Sequence, residues 1–162
     1  MKEVYPNLWV GDQECFKLVE HQPGWATVHA CKEPYHRRAL GYSGKAAPKN
    51  NPEYLVAIRG SEMSLNMIDA HDPAYIPKSL VNTALAFISD NLDKGLKVLL
   101  HCNQGMSRSP GIALLFLARK GKFSGLSYDQ AKVEFQKIYP NFFPAGGVDG
   151  FCRLNWEAYQ EG

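Results

Sequence analysis

Cys102 and Arg108 are separated by five residues, Asn103, Gln104, Gly105, Met106 and Ser107, and Ser109 follows directly. A sulfur nucleophile, a fixed cation and a short polar loop in this order suit one chemistry. A loop closing between a strand and a helix turns successive backbone N–H groups into its concavity. The helix N-terminus adds partial positive charge, and an arginine adds a planar, bidentate fork. Such a cradle takes an oxyanion, and phosphate fits it best. A thiol at its mouth, beside the arginine and the helix N-terminus, is favoured as the nucleophilic thiolate. An anion site with an activated sulfur at its base predicts attack on phosphorus.

The flanking residues supply the strand and helix that this geometry needs. Val98, Leu99 and Leu100 form a short apolar run with β preference, which His101 and Cys102 end. Residues 103–108 are too polar and too dependent on glycine to continue it. A helix is predicted from about Ser109 and Pro110, because proline is tolerated in a first helical turn. Ile112 to Ala118 is apolar on every side, the mark of a helix buried all round, and Gly121 ends it.

The string HCNQGMSRSP, residues 101–110, resembles the active-site loop of the cysteine-dependent protein tyrosine phosphatases, and in particular the HCxxGxSRS pattern of the dual-specificity branch. The resemblance implies a mostly parallel mixed sheet flanked by helices. It implies a two-step reaction in which Cys102 attacks phosphorus and forms a cysteinyl-phosphate. Arg108 and the N–H groups of Asn103, Gln104, Gly105, Met106, Ser107 and Arg108 would hold the equatorial oxygens. Ser109 would help the sulfur leave, and His101 would fix the loop by side-chain hydrogen bonds. No metal or other cofactor is implied. A carboxyl group must protonate the leaving oxygen, and the family carries an aspartate at the end of the strand that precedes the helix before the active-site strand. Asp69 lies 33 residues before Cys102 and Asp72 lies 30 before it. Asp69, directly after SLNMI, is the preferred acid. Asp72 before Pro73 has the look of a turn residue, and the reading of both as turn formers stays open. His71 between them is expected at the surface.

Composition bounds the rest. At 162 residues, 45% hydrophobic and 21% charged, the chain is expected to be one catalytic domain over 1–162 with an ordinary core. A net charge of +2 does not favour nucleic acid as a partner. No apolar run approaches a membrane span and no secretory h-region is visible, so neither a membrane nor export is expected. Cysteines at 15, 31, 102 and 152 show neither CxxC nor zinc spacing. They suit a reducing, cytoplasmic setting, with Cys15, Cys31 and Cys152 as packing residues or one of them a disulfide partner for Cys102. Monomer is the default oligomeric state.

Taken in order, residues 4–10 read as one extended segment turning at Gly11. Asp12 caps a helix to Gln22, and Trp25 to Ala30 form a strand. Lys32 to Pro52, rich in Gly, Pro and basic residues, is expected as a surface loop, or as a wall of the site. Glu53 to Arg59 and Ser64 to Ile68 are strands, and Ser79 caps a helix over 80–93. Ser127 caps a helix over Tyr128 to Ile138. Tyr139 to Pro144 is too aromatic to be fully exposed. A last helix over 148–160 offers Phe151, Leu154 and Trp156 for docking.

Neutral Gln104 and Met106 favour phosphoproteins over phosphoinositides, whose phosphatases often carry loop lysines. No aromatic clamp for a deep pocket is evident. The expected substrates are phosphotyrosine and phosphoserine/threonine on proteins or peptides. Alternatives are a phosphoinositide or RNA 5′-phosphate, a phosphate-recognition module without turnover, and a rhodanese-like or arsenate-reductase chemistry.

Overall fold

The apolar run at Val98 becomes strand β6 (Lys97–His101) of a computed structural model that describes residues 1–161. Around it stand β1 (Lys2–Tyr5), β2 (Leu8–Gly11), β3 (Trp25–His29), β4 (Val56–Arg59) and β5 (Glu62–Leu65). The sheet order is β1-β2-β6-β3-β5-β4. β2, β6, β3 and β5 run parallel, while β1 and β4 pair antiparallel at the edges. The sheet is therefore mixed and mostly parallel, as expected. The helices are α1 (Gln13–Val19), α2 (Arg37–Leu40), α3 (Lys78–Asp93), α4 (Arg108–Arg119), α5 (Tyr128–Ile138) and α6 (Gly146–Gln160).

Strand alternation sorts the two faces. Val98 and Leu100 join Leu8, Val10, Ala26, Val28, Met63 and Leu65 in the large core beneath α3 to α6. Leu99 points the other way, to Cys15, Phe16 and Val19 of α1, with Trp9 and Trp25 at the margin. The same parity puts His29, Glu62 and His101 on the α1 side of the sheet. α4 is buried from Arg108 to Ala118, which accounts for its lack of a polar face. Among the described residues no helix is long and apolar enough to cross a membrane.

Several local expectations need correction. Residues 4–10 are not one strand: Asn7 adopts a φ of 67° and folds the segment into the β1–β2 hairpin, with Gly11 ending β2. β4 and β5 are shorter than expected and form a second hairpin that turns at Gly60. Ser79 does not cap α3; extended Pro77 precedes the helix, and Ser79 lies in its first turn. Residues 32–52 are not all loop, because Arg37–Leu40 forms the short helix α2. Leu154 does not dock; it is 75% exposed, while Phe151 and Trp156 are buried. Asp12 does cap α1, accepting from the N–H groups of Glu14 and Cys15. Ser127 and Gln130 form a reciprocal capping box on α5.

Candidate active site

Residues 102–107 link β6 to α4, and their carbonyl oxygens are held from outside. The Gly105 carbonyl accepts from the Tyr139 hydroxyl at 2.6 Å. The Met106 carbonyl accepts from the Phe143 N–H at 2.8 Å, and the Asn103 carbonyl accepts from the Gln13 N–H at 3.3 Å. The Ser107 hydroxyl accepts from the Ala145 N–H. With the carbonyls turned outward, the N–H groups of residues 103–108 find no protein acceptor among the described residues. That row of free donors ends at the start of α4, so the loop is an anion nest continued by a helix N-terminus.

Gly105 makes the loop possible. Its φ is 69°, and a Cβ there would stand 2.9 Å from the backbone carbon and oxygen of Gly11 and 3.1 Å from the Asp12 nitrogen. The loop thus rests directly on the β2–α1 junction. Gly11 is itself crowded, since its own Cβ would meet the Cys15 sulfur at 2.6 Å.

A cleft of about 270 Å³ opens over the loop, lined by Asp69, Cys102, Asn103, Gln104, Met106, Ser107 and Arg108. Cys102 is only 2% exposed, at the bottom of that cleft. Its Sγ lies 3.1 Å from the Ser109 Oγ, and this hydroxyl also lies 3.2 Å from the Gly11 carbonyl. Arg108 is buried at the cleft wall. Its Nη1 donates to the Met67 carbonyl at 2.9 Å and its Nη2 to Asn103 Oδ1 at 2.8 Å. Two of its five donors are spent on orientation, and the fork is fixed before any ligand arrives. Asn103 is braced in turn, donating to Gln13 Oε1 and the Glu33 carbonyl.

The structure therefore brings together Cys102, Arg108, Ser109, Asp69 and the loop residues. It separates Asp69 from Asp72. Asp69 is exposed at the cleft edge. Asp72 Oδ1 accepts from the Ala74 N–H at 2.8 Å and caps the turn Pro73–Tyr75. His71 is exposed. His101 is fully buried, and its Nδ1 lies 3.1 Å from the Cys102 carbonyl. Burial, then the neighbouring His29, pushes its imidazole down to about 3. The four cysteines are free thiols. Burial pushes the Cys31 thiol up to about 12, with Arg108 opposing, and burial does the same to Cys152. Among the described residues no three His, Cys, Asp or Glu side chains are grouped to hold a metal ion.

The sequence reading missed Tyr139, Phe143 and Gln13 as braces of the loop. Only the aromatic run at 139–143 hinted at them. It also missed His29 and Glu62, which join His101 beneath the site.

No family model matches the chain. Sixty residues are 38% identical to human dual specificity protein phosphatase 5, a match covering 36% of this chain and 16% of that protein. Solved structures agree over nearly the whole length. The human tyrosine phosphatase-like serine/threonine/tyrosine-interacting protein superposes with a TM-score of 0.63 at 19% identity, covering 100% of this chain and 98% of the other. Human DUSP28 gives 0.64 at 19% identity, covering 98% and 93%. The phosphatase PTP-2 of Cydia pomonella gives 0.58 at 18% identity, covering 95% and 88%. The chain thus has the fold of the dual-specificity phosphatase-like structures.

Proposed function

We propose that the chain is a cysteine-dependent phosphatase acting on phosphotyrosine and phosphoserine/threonine of proteins. The observation that carries the reading is the cleft itself: a recessed sulfur, a pre-oriented guanidinium, unpaired N–H groups and an exposed carboxyl group around one space with room for a phosphate. Cys102 Sγ forms a bond to phosphorus as the bond to the leaving oxygen breaks. The loop N–H groups and Arg108 stabilise the three equatorial oxygens. Asp69 gives its proton to the leaving oxygen. In the second step the Asp69 carboxylate takes a proton from water, whose oxygen attacks phosphorus, and the sulfur departs as thiolate with the Ser109 hydroxyl donating to it.

Neutral Gln104 and Met106 in the cleft, with exposed Ile68 beside Asp69 and exposed Phe143 bonded through its N–H to Met106, support a protein phosphoester over a polyanionic inositide. The test is hydrolysis of an aryl phosphate by wild type and Cys102→Ser under reducing conditions without added metal. Activity in the wild type and none in the variant is expected, followed by turnover of phosphotyrosine and phosphothreonine peptides. Undiminished turnover by Cys102→Ser removes the cysteine from the mechanism. An inactive wild type that still binds phosphopeptides makes the domain a recognition module.

A further inference from the structure

Three side chains form a continuous chain under the loop. Glu62 Oε1 lies 2.8 Å from His29 Nε2, and His29 Nδ1 lies 2.6 Å from His101 Nε2. His101 Nδ1 then meets the Cys102 carbonyl. Strand pairing sets this up: His29 and His101 are Cα partners on β3 and β6, and Glu62 comes from β5 on the other side of β3. Both imidazoles are buried, whereas the Glu62 side chain is 45% exposed. Tyr35 stacks on His29 with centroids 4.1 Å apart, and Phe16 meets it edge-on at 4.6 Å.

With Glu62 ionised, its carboxyl held below the usual range by the His29 contact, counting protons along the chain leaves one arrangement. A carbonyl only accepts, so His101 Nδ1 must carry hydrogen. Buried among rings, His101 is neutral, so its Nε2 accepts and His29 Nδ1 must donate. The remaining His29 nitrogen faces a carboxylate, which also only accepts. It must therefore carry hydrogen as well, and His29 is an imidazolium paired with the Glu62 carboxylate. At Glu62 the His29 contact outweighs the opposing burial. The other titratable groups in reach are Tyr35, whose hydroxyl burial pushes up to about 12, Asp12 at the start of α1, and His21 toward Glu62.

We propose that Glu62 and His29 are positioning residues acting through His101: they lock its tautomer onto the Cys102 carbonyl and keep a positive charge behind the loop that favours the Cys102 thiolate. The proposal rests on Cys102 being the nucleophile, but its test does not depend on turnover. Glu62→Gln is the informative variant. A glutamine amide can donate to His29 Nε2, so the hydrogen-bond chain survives while the need for the extra proton disappears.

The experiment is long-range ¹H–¹⁵N NMR of the imidazoles, with the pH dependence of iodoacetamide alkylation at Cys102 followed by peptide mapping. In wild type at pH 7, His101 should be the neutral Nδ1–H tautomer and His29 should carry both protons. In Glu62→Gln, His29 should become neutral, and alkylation of Cys102 at pH 6 should slow about three- to tenfold, with little change in melting temperature. Glu62→Asp should restore part of the rate. A neutral His29 in folded wild type overturns the proposal, and so does an alkylation profile unchanged in Glu62→Gln. Turnover measured in parallel separates the two readings: slowed alkylation in a protein without phosphatase activity refutes the enzyme and keeps the charge relay.

Discussion

Gly105→Ala should damage the site far more than an equally strained glycine elsewhere. Gly105 and Gly121 both have positive φ, 69° and 83°. Placing an L-residue there costs about 1–2 kcal/mol from backbone strain alone. The surroundings differ. At Gly121 an added Cβ meets only the Ser124 Oγ at 3.7 Å, which is ordinary contact. At Gly105 it meets three backbone atoms of Gly11 and Asp12 at 2.9–3.1 Å, and none of these is the tip of a flexible side chain. Relief requires the loop and the β2–α1 junction to part by about half an ångström, at an overpacking cost of about 1–3 kcal/mol. The shift also moves the N–H row and Cys102 relative to Arg108, and about 1 Å of misplacement costs on the order of a hundredfold in rate. Gly121→Ala should therefore lose about 2–8 °C in melting temperature with unaltered turnover. Gly105→Ala should lose more stability and at least about tenfold in kcat/KM for an aryl phosphate. Scanning calorimetry and steady-state kinetics on the two variants decide it. Equal activity in both would refute the claim that contact with Gly11 sets the loop.

Other outcomes follow from single contacts. Tyr139→Phe strands the buried Gly105 carbonyl, which should cost about 1–3 kcal/mol in denaturant unfolding and weaken inhibition by inorganic phosphate. Asp69→Asn should slow hydrolysis of a phenyl ester much more than that of a nitrophenyl ester, which needs little protonation. If Asp72→Asn shows this leaving-group dependence instead, the acid is misassigned. On α6, burial raises the Asp149 carboxyl, but hydrogen bonds from Tyr128 (2.7 Å) and Lys132 (3.0 Å) outweigh it and hold the group below the usual range. A depressed carboxyl contributes stability above its unfolded value, about 3.9, and loses it as pH falls through the lower folded value. The stability gap between wild type and Asp149→Asn should be constant from pH 5 to 7 and narrow as pH falls below about 4; a gap that does not narrow with acid would contradict this.

What the sequence made legible was local. The β6-to-α4 stretch could be read because a buried strand, a turn and a buried helix each leave an unbroken pattern, and because a nest needs glycine where φ is positive. Asp12 and Ser127 were legible as caps because their hydrogen bonds stay within a few residues. The hairpin at Asn7 was not, since a left-handed asparagine has no pattern of its own. Ser79 failed as a cap because Pro77, fixed in extended geometry, ends the preceding loop two residues early. Leu154 has helical spacing like its buried neighbours, but α6 turns that face to solvent. The braces Gln13 and Tyr139 lie 90 residues before and 34 residues after their partners, so only the folded sheet brings them together.

The same limit applies to protons. Ser109 has one hydroxyl hydrogen and two acceptors within reach, the Gly11 carbonyl at 3.2 Å and the Cys102 sulfur at 3.1 Å. When Cys102 is a thiol it can donate to Ser109, leaving that hydrogen on Gly11. When Cys102 is a thiolate, the hydroxyl adds its own stabilisation only by turning toward sulfur. Behind the loop, His101 cannot shift its own hydrogen without losing the Cys102 carbonyl, so the proton count there is fixed by Glu62 and His29. One side of the sulfur is thus adjustable and the other is set. In the proposed reaction that division suits a nucleophile that must be charged before attack, neutralised as cysteinyl-phosphate, and charged again when it leaves. Ser109→Ala tests it: the first step, read as a burst of aryl alcohol, should keep most of its rate, while steady-state turnover falls on the order of tenfold or more. Equal loss in both phases would place the hydroxyl in the attack as much as in the departure.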